Sequence, residues 1–304
     1  MTTPRIMRQG RLVPLLYSLP ALLFIAVFIL YPLVNTAALS LRDRTSERPA
    51  SVECTPGEPC WGPLENYRDV LTNSEMLIAL RNNALWLLLM VPATVGLGLV
   101  IALLADRVRY ESLVKSVIFM PMAISFIGAG VIWRFMYAIE VGAGEQWALV
   151  NAGLDAIGLE PVPFLSTPGI NNLALMIVGI WLWAGFCMTI LSAAIKALPG
   201  EVIEAARVDG ATEWQVFWMI TFPMILPTVT VVTTTMVIII LKIFDIVFVM
   251  TGGNFGTEVI ANRMFKLIVT DTGRSMAIAV ILLVLTIPVM IFNIHRFRQE
   301  EAAR

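Results

Sequence analysis

The segment Leu198-Pro199-Gly200-Glu201-Val202-Ile203-Glu204-Ala205-Ala206-Arg207-Val208-Asp209-Gly210-Ala211 orders its residues for docking rather than for bond-making. Pro199 opens a helix at a position where its missing N–H is harmless, and Glu201 and Glu204 favour the positive end of that helix. Ala205 and Ala206 keep one face slim, Gly210 turns the chain, and Asp209 adds a charge at the turn. A run of aromatic and apolar residues, Trp214, Phe217, Trp218, Ile220 and Phe222, then leads to Pro223. The expected product is a short amphipathic helix with a small-residue surface, a knob for a groove on a soluble partner. Groups for catalysis are sparse by comparison. The one histidine, His295, adjoins a basic tail, and no Gly-x-x-x-x-Gly-Lys-Ser/Thr loop for nucleotide phosphates occurs. No His/Cys/carboxylate cluster has metal-ligand spacing. The reading is therefore of no catalytic residue, no metal, no cofactor bound by this chain and no nucleic-acid partner.

The elements that position this segment follow from where charge is absent. The chain is 58% hydrophobic and 14% charged, where soluble domains carry about a quarter charged residues. Six stretches hold no Asp, Glu, Lys or Arg: 12–41, 82–105, 116–133, 161–195, 214–241 and 275–294. Each is long enough to cross about 30 Å of hydrocarbon as a helix, and lipid forces such runs to satisfy their backbone internally. An all-α membrane protein with six transmembrane helices is predicted, as one domain over 1–304. Arg5, Arg8 and Arg11, then Arg107, Arg109 and Lys115, then Arg296, Arg298 and Arg304 mark one side of the membrane. The positive-inside rule makes that side, and both termini, cytoplasmic. The tail 1–11 and the loop 196–222 fall on it, whereas 42–81 is read as an external loop. The first stretch is about twice the length of a signal-peptide core and is read as a retained span. Within Cys54-Thr55-Pro56-Gly57-Glu58-Pro59-Cys60 the turn residues and an oxidising compartment allow a disulfide, with two free thiols as the alternative; Cys187 reads as packing.

The stretch from Trp214 to Met250 is too long for one span, and Pro223 and Pro227 predict a break near its start, with the spanning helix running from about Pro223 to Met250. Lys242 and Asp245 then share one helical face and are able to pair, a structural ion pair being weighed against functional intramembrane charges. A translocation pathway needs aromatic faces and neutral polar groups if its cargo is a sugar. Trp181, Trp183 and Phe186 in the fourth span and Met236, Ile240, Phe244, Asp245 and Asn254 in and after the fifth are the candidates; an aromatic belt and ordinary core packing are the alternatives for the same residues.

The spacing Glu204-Ala205-Ala206, Gly210, Ile220 and Pro223 closely resembles the EAA signature of bacterial binding-protein-dependent ABC importer permeases, with Phe222 where leucine is usual. That resemblance implies a type I importer fold in the cell inner membrane, with 196–222 as a coupling loop that docks on an ATPase. It also implies the rest of the assembly: a second homologous permease subunit, an ATPase dimer that holds ATP and Mg, and an extracytoplasmic solute-binding protein. The residues Phe244-Asp245 and Thr251-Gly252-Gly253-Asn254 resemble carbohydrate permeases of the maltose type, and asparagine in place of the usual proline is similar to the α-glucoside branch. The expected function is import of a sugar, such as an oligosaccharide or α-glucoside, by a subunit that is not itself an enzyme. A permease for another small solute and an ion-coupled secondary transporter are the competing readings; the latter needs titratable groups near the midplane that this chain lacks.

Overall fold

The computed structural model describes residues 12–42, 64–139 and 147–302; the tail 1–11, most of the first long loop with Cys54 and Cys60, and Glu140 and Glu145 lie outside them. Among the described residues the chain is helical and has no strand. In order come α1 (Leu12–Ile25), a π turn (Ala26–Leu30), α2 (Tyr31–Ser40), α3 (Glu65–Thr72), α4 (Ser74–Ala105) and α5 (Glu111–Phe119). There follow α6 (Phe126–Met136), α7 (Leu149–Ala156), α8 (Ile170–Lys196), α9 (Gly200–Val208) and α10 (Glu213–Val216). After a second π turn (Phe217–Thr221) the chain ends with α11 (Phe222–Leu241), α12 (Asp245–Met250), α13 (Ile260–Leu267) and α14 (Thr272–Ala302).

Five continuous helical stretches are long and apolar enough to span a bilayer: Leu16–Ser40, Ser74–Ala105, Ile170–Lys196, Glu213–Leu241 and Thr272–His295. The third charge-free stretch is built differently. It forms two arms, Glu111–Ala123 and Phe126–Met136, bent by 98°, and makes the sixth crossing when the pair is taken as one span. Pro121 lies in a 3-10 turn (Met120–Ala123) at the corner, and the Ser125 hydroxyl then accepts from Gly128 N at 3.0 Å to start α6 afresh.

Two expectations about the fifth span are corrected. Its helix begins at Glu213 and ends at Leu241, so it passes Pro223 and Pro227 instead of breaking there. The π turn makes this possible: Phe222 N–H bonds back to Phe217 O, and the widened turn relieves the clash that a proline ring has with the preceding carbonyls. The break falls at Lys242–Phe244, and α12 starts at Asp245. Lys242 and Asp245 are therefore not on one helix and form no ion pair with each other; Lys242 is exposed and Asp245 sits half-buried in the first turn of α12. Along α11 the hydroxyls of Thr230, Thr233, Thr234 and Thr235 donate to carbonyls four residues back, at 2.7–2.9 Å, which satisfies them inside an apolar stretch.

The chain divides into two compact units. In the first, Met1–Val70 with Lys266–Val280, Asn66 Nδ2 donates to Ser40 O at 2.8 Å and Arg42 O at 2.6 Å, which ties the end of α2 to α3. Asp271 caps α14 by accepting from Arg274 N at 3.2 Å, and Arg274 pairs with Asp69 and Asp271. In the second, Leu71–Phe265 with Ile281–Arg304, α4 packs along α8, α11 lies against both, and α12 lies against α6. Trp86, Met90, Leu175, Met188, Leu191, Met236, Ile240 and Ile246 are fully buried there. Membrane helices gain little from hydrophobic exclusion, so close contact must supply the attraction. Small residues permit it: a Cβ at Gly98 would lie 2.5 Å from Cys187 Cβ, and one at Gly185 2.5 Å from Ile118 O.

Candidate functional site

The EAA segment is organised by local hydrogen bonds. Pro199 precedes α9 at its N-cap, and Asp209 closes the helix. Gly210 has φ +86°; its N–H bonds to Arg207 O at 3.1 Å and Ala211 N–H to Ala206 O at 3.0 Å. That pairing is a Schellman ending, which requires a left-handed residue where glycine stands. Nothing lies within 4 Å of a Cβ built on Gly210, so conformation rather than space selects the residue. Two residues later Thr212 and Gln215 form a capping box that starts α10. Glu204, Ala205, Asp209 and Pro223 are exposed, and Ala206 and Ile220 are half-buried. Val208, near the end of α9, is 86% exposed.

The segment is mounted on neighbouring helices through ions. Glu213 accepts from Arg207 at 2.8 Å and from Arg107 of the α4–α5 turn at 3.1 Å. Lys115 Nζ of α5 reaches Asp106 and Glu111, each at 2.5 Å, and Lys196 at the end of α8 pairs with Glu111. These pairs join the α4–α5 turn to the helix from which α9 departs, so α9 is carried on a braced corner.

The candidate pathway residues separate into four groups. Trp181 meets Trp133 edge-on at 5.7 Å and Trp183 stacks on Phe126 at 5.7 Å with Phe186 beside it at 5.6 Å, so α8 presents two aromatic clusters to α6. Met236 and Ile240 are each 0% exposed and belong to the apolar core. Phe244 stacks on Phe248 at 5.1 Å and touches Phe265, with Asp245 next to it at the start of α12.

Asn254 is exposed on a loop that doubles back after α12. Buried asparagines hold this loop by its carbonyls: Asn82 Nδ2 donates to Gly256 O and Glu258 O, each at 2.8 Å, Asn171 Nδ2 to Phe255 O at 2.8 Å, and Asn262 Nδ2 to Gly252 O at 3.2 Å. Asn83 joins in with Ile260 N–H to its Oδ1 at 2.9 Å. Gly252, Gly253 and Gly256 all have positive φ, and Phe255 shares that conformation at φ 56°. Sequence reasoning named the glycines but not these asparagines; for Asn82 and Asn83 the signal was a pair of amides at the head of the charge-free stretch 82–105, where lipid makes an unmatched polar group costly. Asn82→Ala strips the buried Glu258 carbonyl of its donor, at about 1–3 kcal/mol, and releases the more exposed Gly256 carbonyl. Faster hydrogen exchange and proteolysis confined to 251–259 is the expected outcome; unchanged protection of that loop refutes the latch.

The geometry has counterparts in known proteins. A family described as binding-protein-dependent transport system inner membrane component matches residues 94–295. The chain is 51% identical over 291 residues to the osmoprotective compounds uptake permease protein GgtC of Synechocystis, covering 95% of this chain and 100% of that one. It is 41% identical over 290 residues to the alpha-glucoside transport system permease protein AglF of Rhizobium meliloti, covering 94% and 83%. A crystal structure of a bacterial alginate ABC transporter in complex with an alginate pentasaccharide-bound periplasmic protein superposes with TM-score 0.75 at 23% identity, over 97% of this chain and 98% of that one.

Proposed function

Because the chain belongs to the binding-protein-dependent transport system inner membrane components, and so is a permease subunit of an ABC importer, we propose that it carries a sugar across the membrane and takes its driving force through α9. ATP hydrolysis belongs to a partner subunit in this family. The observation that carries the coupling role is the Schellman-terminated α9, exposed along Glu204, Ala205 and Val208 and braced through Glu213. An ATPase dimer holding ATP and Mg is the partner whose groove receives it, with both termini of this chain on the same, cytoplasmic, side.

A second, homologous permease subunit completes the pathway. An extracytoplasmic binding protein delivers the solute at the opposite side. An α-glucoside or oligosaccharide is the cargo. A relative named for alpha-glucosides supports this class. So does the chemistry of the α8 aromatics, Phe244 and the neutral Asn254 loop, which offer stacking faces and hydrogen bonds to hydroxyls.

Purified alone, the chain is expected to hydrolyse no ATP. Reconstituted in vesicles with its ATPase, second permease and binding protein, it is expected to import labelled α-glucosides in an ATP-dependent manner. Hydrolysis by the isolated chain, or import of amino acids in preference to sugars by the full complex, overturns the proposal.

A further inference from the structure

Between α9 and α11 the chain has two unlike faces. Val216 and Thr221 are 3% and 6% exposed and turn inward. Opposite them runs an aromatic ridge: Trp214, Trp218 and Met219 are 71%, 47% and 73% exposed. The two indoles lie 5.6 Å apart, and Trp218 packs on Phe222 at 5.2 Å. Among the described residues neither indole N–H donates to a protein acceptor.

Three observations select what covers this ridge. The first is its place in the chain, where Arg207, Asp209 and Glu213 give way to the charge-free stretch 214–241. An indole with an apolar body and a donor tip is suited to the layer where hydrocarbon meets water. The second is continuity: Met224 and Leu226, 42% and 41% exposed, extend the same outward apolar surface along α11. The third is size. Helices that pack on one another in membranes meet through Gly, Ala and Ser, as α8 does at Gly185, whereas this face bears the bulkiest side chains available.

We propose that Trp214, Trp218 and Phe222 form an interfacial anchor that seats the chain in the lipid headgroup layer and fixes the depth of α9. Trp214 follows the Gly210 turn by four residues, which leaves little chain to absorb a change in height. The anchor depends on membrane embedding and not on what α9 docks to, so it and the coupling proposal fail separately.

The test is made on the whole complex in lipid nanodiscs. Cys54 and Cys60 are replaced by serine, the fully buried Cys187 is retained, and a nitroxide is placed at Met219→Cys, which leaves Trp214, Trp218 and Phe222 in place. Oxygen is expected to relax the label more than a water-soluble nickel chelate does, with a depth between phosphate and upper acyl chain. Trp214→Ala with Trp218→Ala is expected to raise nickel accessibility several-fold while the complex stays assembled. A label shielded from both reagents means that protein covers the ridge, and one as open to nickel as a free nitroxide means that water does. Either outcome overturns the proposal, as does an unchanged depth in the double variant. A label at Met224→Cys, expected deeper in the acyl region, gives the same reading should the first label disturb assembly.

Discussion

Gly210→Val is expected to abolish uptake while the complex still inserts and assembles. A β-branched residue at φ +86° costs about 1–2 kcal/mol or more in the left-handed region, because its Cβ meets the following carbonyl. The cheapest relief is to release the Gly210-to-Arg207 and Ala211-to-Ala206 hydrogen bonds. The last turn of α9 then opens, and with it the fixed angle between Arg207 and Glu213. Stimulation of ATPase activity by loaded binding protein should disappear while basal hydrolysis persists. Gly210→Asn is the discriminating control, since asparagine enters the left-handed region readily and the space around the site is open. Gly210→Asp keeps much of that tolerance but sets a second carboxylate beside Asp209 at the negative end of α9, so it should fall between the two. If valine and asparagine transport equally well, per assembled complex, the turn has no part in coupling.

Gly185→Val acts at the opposite extreme, through space rather than conformation. Its Cβ would stand 2.5 Å from Ile118 O and 2.8 Å from Phe119 Cα, both backbone atoms that no rotamer change moves. Either α5 slides off α8 or the pair separates, and overpacking of this kind costs about 1–3 kcal/mol. A lower yield of monodisperse complex and a loss of several degrees in thermal stability in detergent are the expected readouts. Gly96→Ala provides the contrast: nothing lies within 4 Å of its Cβ, and stability should be unchanged or slightly raised. Equal behaviour of the two variants refutes close α5–α8 packing at Gly185.

The parts of this fold that are local in sequence were the legible ones. Charge-free runs located five spanning helices, because hydrocarbon length and backbone satisfaction leave few other solutions. The shape of α9 was readable for the same reason: a proline, two alanines and a glycine set its start, its slim face and its turn within one or two turns. The fifth span was misjudged because Pro223 speaks loudly in sequence, while the π turn that accommodates it is silent. The true end of that helix carries no proline or glycine. Leu241 O accepts from Asn83 Nδ2 at 3.3 Å, across 158 residues of chain, and a cap supplied from so far away leaves no local trace. Among the pathway candidates, Met236 and Ile240 share one face of α11, whereas Phe244 lies past the end of that helix. Met236 and Ile240 turn into the core, while Phe244 belongs to the cluster with Phe248 and Phe265.

Asn82, Asn171 and Asn262 hold the loop after α12 by its carbonyls, with no hydrogen bond to the side chain of Asn254 or Phe255. A carbonyl is the same chemical group whatever residue bears it. The side chains at this tip are therefore free to drift over evolutionary time while the frame that presents them stays put. Position 255 is the most restricted of them, since its φ of 56° favours glycine or asparagine as successors to phenylalanine. Such an arrangement separates heritable variation in what the loop displays from the stability of the helices beneath it, so a lineage can try new surfaces there without first repairing its fold.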